Sequence, residues 1–306
     1  MALTPMRDLL HAARAHRYAV GYFEAWDQYS FEAVLGAAEE SRSPVILGFG
    51  GVMMDQEWFS GGGLRGLAAL GRALAETATV PVALLLNEVA SLRHIEDGLR
   101  WGFNAVMLDT CHLPLDQNIA ATRRVVALAH AAGADVEGEL DVLPDASGTM
   151  GQPGDGGLTD PEQAARYVAE TQVDALSIAI GNVHVLTDGK AQIDLAHLAL
   201  LHERVPAASD AASDSVPFVL HGGTGFPEAA IPQAIELGVA KFNVGTILKQ
   251  RFLEGVRDAL AALPDRPNVQ RVVGSRTSQD VLATGRARMQ AEVLSRMAQY
   301  GCMGRG

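Results

Sequence analysis

Two apolar runs in this chain each end in glycine and histidine, a pattern suited to gathering a metal ion. Phe218-Val-Leu-His-Gly-Gly-Thr-Gly225 reads as a buried strand that stops at His221, and Ala175-Leu-Ser-Ile-Ala-Ile-Gly-Asn-Val-His184 repeats the arrangement with Gly181 and His184. One such histidine is an ordinary loop residue, but two in matching positions at the carboxyl ends of parallel strands can meet at one cation. The other predicted strand ends add Glu24, Gly50, Asn87 with Glu88, Asp109 with Thr110, Glu137 with Glu139, and Asn243 with Thr246. So many carboxylates on one rim are costly unless a cation gathers some of them. Two imidazoles and a carboxylate suit zinc, manganese, iron or cobalt and leave positions open for substrate oxygens. Glu88 closes the third strand and is the expected third ligand beside His184 and His221. Asp109 and Glu139 are candidates for a second or alternate metal position.

The glycine turns suggest a companion site for an anion. Gly222-Gly223-Thr224-Gly225 and Asn243-Val-Gly245-Thr246 end the seventh and eighth strands, where barrel enzymes often hold a phosphate on bare backbone N–H groups. Gly181, Gly222, Gly223, Thr224, Asn243, Gly245 and Thr246 are therefore the expected substrate- and phosphate-binding positions. Lys241 and Lys190 are possible counter-charges, although a pairing of Lys241 with Glu137 would explain that carboxylate without catalysis. His11, His16, His94, His130, His197 and His202 fall in helical patterns and read as surface or packing residues. Cys111 and His112 follow the fourth strand, but nothing near Cys111 in the sequence would make it a thiolate.

The elements that must position these residues alternate regularly. Strands are predicted at Tyr18–Phe23, Pro44–Gly48, Val82–Leu86, Ala105–Leu108, Asp135–Leu140, Ala175–Ile180, Phe218–Leu220 and Ala240–Val244. Between them lie helical patterns such as Phe31–Ser41, Leu64–Thr77, Ser91–Trp101, Asn118–Ala132, Pro161–Thr171 and Pro227–Leu237. Asp160-Pro161 supplies an N-cap before a first-turn proline, and Gly102, Gly133 and Gly238 follow helical runs where a left-handed cap is wanted. Eight such units across 306 residues predict a single (β/α)8 TIM barrel with a helical C-terminal extension over residues 248–306. In that extension, Ser278–Tyr300 carries an apolar face that suggests a subunit contact. The glycine-rich stretch Asp141–Leu158 is a candidate lid, and Ala207–Ser215 a decoration of the opposite face. A net charge of −12 argues against nucleic-acid or membrane partners. Two cysteines and no leader-like or membrane-spanning run fit a cytoplasmic protein.

These residues also resemble the class II, metal-dependent fructose- and tagatose-bisphosphate aldolases. The resemblance rests on Gly102-Phe-Asn-Ala-Val-Met-Leu-Asp-Thr-Cys-His-Leu-Pro114, Val136-Glu-Gly-Glu-Leu140, Ala179-Ile-Gly-Asn-Val-His184, Leu220-His-Gly-Gly-Thr-Gly225 and Lys241-Phe-Asn-Val244, and covers nearly the whole chain. It implies a barrel lyase, dimeric or tetrameric, that uses a divalent metal, zinc first, on a phosphorylated ketose or related keto-acid through a metal-stabilised enediolate. It makes His184 and His221 two of three zinc ligands, Asp109 and Glu139 second-site carboxylates, and Gly222–Thr224 with Asn243–Thr246 the phosphate loops. Several positions depart from it. The family's Asp-His pair after strand three is Asn87-Glu88 here, Glu24 stands for a usual asparagine, and Gly50 for a phosphate-binding serine. Val185 stands for a usual glycine, and Gly245 for an acidic or amide residue. Glutamate can replace histidine on a metal, but asparagine carries no proton at neutral pH. The proton must then travel by another carboxylate, with Glu24 expected ahead of Asp109 and Asp155 of the lid a further candidate. The alternatives are an isomerase, epimerase or decarboxylase using the same chemistry, and a non-catalytic sugar-phosphate binder.

Overall fold

The computed structural model describes residues 3–146, 157–186, 188–205 and 215–306. Eight parallel strands close on one another in chain order: β1 Val20–Glu24, β2 Val45–Gly50, β3 Val82–Val89, β4 Ala105–Leu108, β5 Asp135–Glu139, β6 Ala175–Ser177, β7 Phe218–Leu220 and β8 Val239–Val244. The closure is completed by the parallel pairing of β1 with β8. This is the (β/α)8 barrel that the alternation predicts. Its strands read as continuous apolar runs because both faces are covered, by helices outside and side chains within. Val45, Ile46, Leu47 and Phe49 of β2 are all fully buried. The sixth strand is shorter than expected. Its ladder stops at Ser177, and the amide of Ala179 turns to the hydroxyl of Thr159 at 2.8 Å.

The helices of six residues or more among the described residues are α1 Met6–Ala15, α2 Gln28–Ser41, α3 Leu64–Ala75, α4 Leu92–Trp101, α5 Leu115–Ala131, α6 Pro161–Thr171, α7 Leu195–Arg204, α8 Ile231–Glu236, α9 Thr246–Ala261 and α10 Val281–Gln299. The capping signals act as read. Asp160 accepts from the amide of Gln163 at 2.8 Å, and Gly102, Gly133 and Gly238 all take positive φ. The expected helix over Pro227–Leu237 divides into a 3₁₀ turn, Glu228–Ala230, and the short α8. Pro232 lies in the first turn of α8, where its missing N–H costs nothing. No helix among the described residues is long and apolar enough to cross a membrane.

The C-terminal helix α10 lies against α9 and α2. A Cβ on Gly255 would meet the Cα of Gly285 at 2.8 Å, so this glycine pair lets α9 and α10 come close. Met289, Val293 and Met297 are fully buried within the chain itself. The apolar face expected to serve a subunit contact is therefore the face that packs α10 onto its own barrel. Residues 147–156 of the expected lid, Asp155 among them, and residues 206–214 of the expected decoration lie outside the described residues.

Candidate active site

The carboxyl ends of the strands open into a cavity of about 290 Å³, lined by Glu24, Asn87, Glu88, His184, His221, Thr224, Asn243 and Thr246 among others. Glu88 is turned into it by a break in the β3–β4 register between Leu86 and Val89, where Glu88 takes φ 46°. A left-handed glutamate is uncommon, and here the bulge re-aims its side chain toward the barrel mouth. His184 is fixed through its backbone: its amide donates to Pro144 O at 2.8 Å, and its carbonyl accepts from Ala146 N at 3.0 Å. The first residues past β5 thus clamp the β6 histidine. Asn182 ties the two histidine segments together, donating from Nδ2 to the carbonyl of His221 at 3.1 Å.

Ligand atoms of Glu88, His184 and His221 all lie within 4.8 Å of one another, and the two imidazoles stack with centroids 5.6 Å apart. Among the described residues His184 Nε2 is buried with no hydrogen-bond partner, which is the expected state of a nitrogen shaped to bind a cation. His221 presents Nδ1 to Glu88 Oε1 at 3.0 Å, while its Nε2 faces Glu137 Oε1 at 2.8 Å. A carboxylate behind a ligating histidine fixes its tautomer and ring orientation. Glu137 is held in turn by Lys241, whose Nζ lies 2.6 Å from Oε2 and also donates to Asn243 Oδ1 at 2.6 Å. Both members of that ion pair are wholly buried. These residues fit a divalent cation.

The fields follow this geometry. Burial works against ionisation of Glu88, but the His221 charge and hydrogen bond hold it down to about 2. Burial likewise opposes a charge on His221, yet Glu88 and Glu137 raise it to about 9. His184 goes the other way, pushed down chiefly by burial, and so stays available as a neutral ligand. Glu139 is pushed well above the ordinary carboxylate range by burial and by the Glu88 charge. Its Oε1 accepts from Thr110 N at 3.2 Å.

Several expected positions are placed differently by the structure. Asp109 and Glu139, expected at a second or alternate metal position, lie outside the close trio, and Asp109 groups with Cys111 and His112. Cys111 donates to Asp109 at 3.2 Å, and burial with the nearby carboxylates raises its thiol far from thiolate formation. Lys241 is not a phosphate counter-charge, since it lies inside the barrel as the partner of Glu137, and Lys190 does not line the cavity. Gly181 has φ 98° and abuts the carbonyl of Gln192, so its role is to let two backbones approach. The amides of Gly223 and Gly225 are not bare. They donate to Asn243 O at 2.9 Å and Gly222 O at 3.1 Å. Thr224 Oγ1 accepts from Ile247 N at 3.2 Å and so joins the two loops. Beneath them Arg296 of α10 donates to the carbonyl of Gly223 at 3.3 Å and pairs with Glu292 at 2.8 Å.

Of the α9 wall of the cavity the sequence reading found Thr246 and missed Lys249, Gln250 and Leu253. All four line it. Their spacing of i, i+3, i+4 and i+7 is one helical face, a signal visible once the helix is taken to begin at residue 246.

A closed βα barrel with two histidines and a glutamate converging at the carboxyl end of its strands is an arrangement suited to a barrel enzyme that uses a metal. The comparisons with known proteins specify it further. The family model for class-II fructose-bisphosphate aldolase matches residues 4–305, and the chain belongs to that family. It is an aldehyde-lyase of the aldolase type. A fructose-bisphosphate aldolase from Geobacillus stearothermophilus is 32% identical over 308 residues, covering 100% of this chain and 99% of that protein. A 6-phospho-5-dehydro-2-deoxy-D-gluconate aldolase from Halalkalibacterium halodurans is 35% identical over 266 residues, 85% of this chain and 86% of that one. Among solved structures, the YdjI aldolase from Escherichia coli K12 aligns over 99% of both chains with a TM-score of 0.78 and 28% identity.

Proposed function

We propose that the protein is a divalent-metal-dependent carbon–carbon lyase that cleaves a phosphorylated ketose, with Glu88, His184 and His221 holding the metal, zinc first. The observation that carries this reading is the buried, partnerless Nε2 of His184 beside Glu88 and His221 in a cavity of substrate size. When bound, the cation would supply Lewis-acid polarisation of the substrate carbonyl. Glu137, anchored by Lys241, orients the His221 ring. Thr224 and Thr246, at the loop after β7 and the first turn of α9, line the cavity as hydroxyl donors for one phosphate, and the amino end of α9 favours the same charge.

Asn87 cannot exchange a proton at neutral pH, and its Nδ2 donates to Glu88 Oε2 at 2.9 Å. Of the carboxylates left to move a proton, Glu24 lines the cavity, while Asp109 acts electrostatically on the proposed metal site; we favour Asp109, the reverse of the order expected from sequence. Asp109 follows β4, the strand beside the one that carries Glu88, and its charge acts on both His184 and Glu139. Glu24 ends β1, between β2 and β8, and is engaged by Lys249.

The test is cleavage of ketose phosphates by metal-loaded, chelator-treated and His221→Ala protein, with metal content measured on each. Activity is expected only in the loaded parent, and His221→Ala should lose most of its metal. Undiminished metal in that variant, or cleavage that survives the chelator, refutes the assignment. Asp109→Asn should lower turnover by about 10²–10⁴ with metal content retained.

A further inference from the structure

Glu24 stands where β1 opens onto the cavity, and its carboxylate rests on glycine at two neighbouring strand ends. A Cβ on Gly50 would lie 3.2 Å from Glu24 Oε1, and a Cβ on Gly245 would overlap Oε2. Neither glycine is required by its backbone. Gly50 has φ −84° and Gly245 φ −132°, both open to ordinary residues. What their missing side chains make room for is the carboxylate itself.

The charge balance of the cavity follows from this placement. Lys249 is the one lysine or arginine among the described residues that line it. None of the residues outside the described set is lysine or arginine. Lys249 is already neutralised, its Nζ donating to Glu24 Oε1 at 2.7 Å. Glu24 Oε2 accepts no hydrogen bond among the described residues, so it stands ready to take one from a substrate hydroxyl.

We infer that Glu24 restricts this cavity to substrates carrying a single phosphate, by occupying the wall between β8 and β2 with a carboxylate that accepts a hydroxyl and repels a second anion. The inference rests on the reading of the cavity as a ketose-phosphate site. A metal and the first turn of α9 would hold one phosphorylated substrate, but a second phosphate would meet the Oε2 side of Glu24, with the lining lysine already engaged on Oε1. Like-charge juxtaposition suppresses wrong ligands and works alongside the contacts that favour the right one.

The experiment titrates a ketohexose 1-phosphate and the corresponding 1,6-bisphosphate into the metal-loaded protein by calorimetry and measures kcat/KM on both. The unaltered protein should bind the monophosphate at least about tenfold more tightly. Glu24→Gln should erase most of that preference. Gly245→Ala, which displaces the carboxylate without touching its charge, should do the same, and it should add nothing in the Glu24→Gln background. Tighter bisphosphate binding by the unaltered protein, equal affinities, or no binding of the monophosphate overturns the inference. So does an unchanged preference in both single variants. A loss of turnover on both ligands by one factor, with the binding preference intact, would assign Glu24 to proton transfer and overturn it as well. Selective binding without any turnover would instead refute the lyase reading and leave the charge argument standing.

Discussion

Lys241→Met tests how the site is held from below. Lys241 and Glu137 are both wholly buried and lie 2.6 Å apart. At an effective dielectric of about 20, unit charges at that distance attract by roughly 6 kcal/mol. Taking two ions out of water offsets most of this, and burial does pull the Lys241 ammonium below its ordinary range. The intact pair therefore adds little net stability, whereas a broken pair is expensive. Lys241→Met leaves the Glu137 carboxylate to His221 and Asn243 Oδ1 without its donor. The expected loss is about 3 kcal/mol, the low end of the cost of breaking a buried pair, because His221 still faces Glu137. Glu137→Gln should fall in the same range, since it strands the ammonium. The double variant should recover at least about 2 kcal/mol relative to the sum of the two. Urea unfolding in excess chelator measures this without a contribution from bound metal. A Lys241→Met loss below about 1 kcal/mol, or a double variant as unstable as the sum, would refute the reasoning. Because Glu137 also faces His221, Glu137→Gln should weaken metal binding by about 10–100-fold.

Val185, a β-branched residue at φ 51°, is strained next to a proposed metal ligand. Val185→Gly should raise stability by roughly 1 kcal/mol, the relieved strain exceeding the added unfolded-chain entropy, and a lower unfolding midpoint would contradict this. Asp135 is raised to about 6, mainly by burial, despite the amide hydrogen bond from Arg7. The native state therefore holds this proton over a range where the unfolded chain, with an ordinary aspartate, has released it. Stability should fall as pH rises from about 4 to 6, by up to about 3 kcal/mol from this group, and Asp135→Asn should flatten that slope. An unaltered pH profile in the variant would rule the assignment out. Asn87→Asp replaces the donor to Glu88 by a second carboxylate. It should lower the melting temperature in chelator and recover part of the deficit on zinc addition, and an equal deficit in both conditions would count against a cation between these groups.

The barrel was legible because most strands are short apolar runs, several bounded by glycine or proline, from Pro44 to Gly50 for instance, and because Ser91 and Asp160 cap the helices they precede. The convergence of His184 and His221 was legible from matching strand-end positions. Other features depend on side-chain direction, which composition does not reveal. Lys241 and Asn243 alternate on β8 with the apolar Ala240 and Phe242, so the lysine points into the barrel, where Glu137 and Asn243 meet it. The amides of Gly223 and Gly225 looked free because glycine permits tight turns, but the same turns bring them within reach of backbone carbonyls. The lodging of Glu24 over Gly50 and Gly245 joins three strands, and no local pattern encodes a contact of that kind.

Arg296 gives the last helix a part in holding a loop as well as in packing. It lies ten residues from the end of the chain, yet its guanidinium supports the carbonyl of Gly223 in a loop more than seventy residues upstream. In the chain all eight strands and every proposed metal ligand precede this support. The loop after β7 gains it only when α10 docks against α9 and α2. A chain truncated before residue 296 would keep every proposed metal ligand and lack the contact that holds this loop.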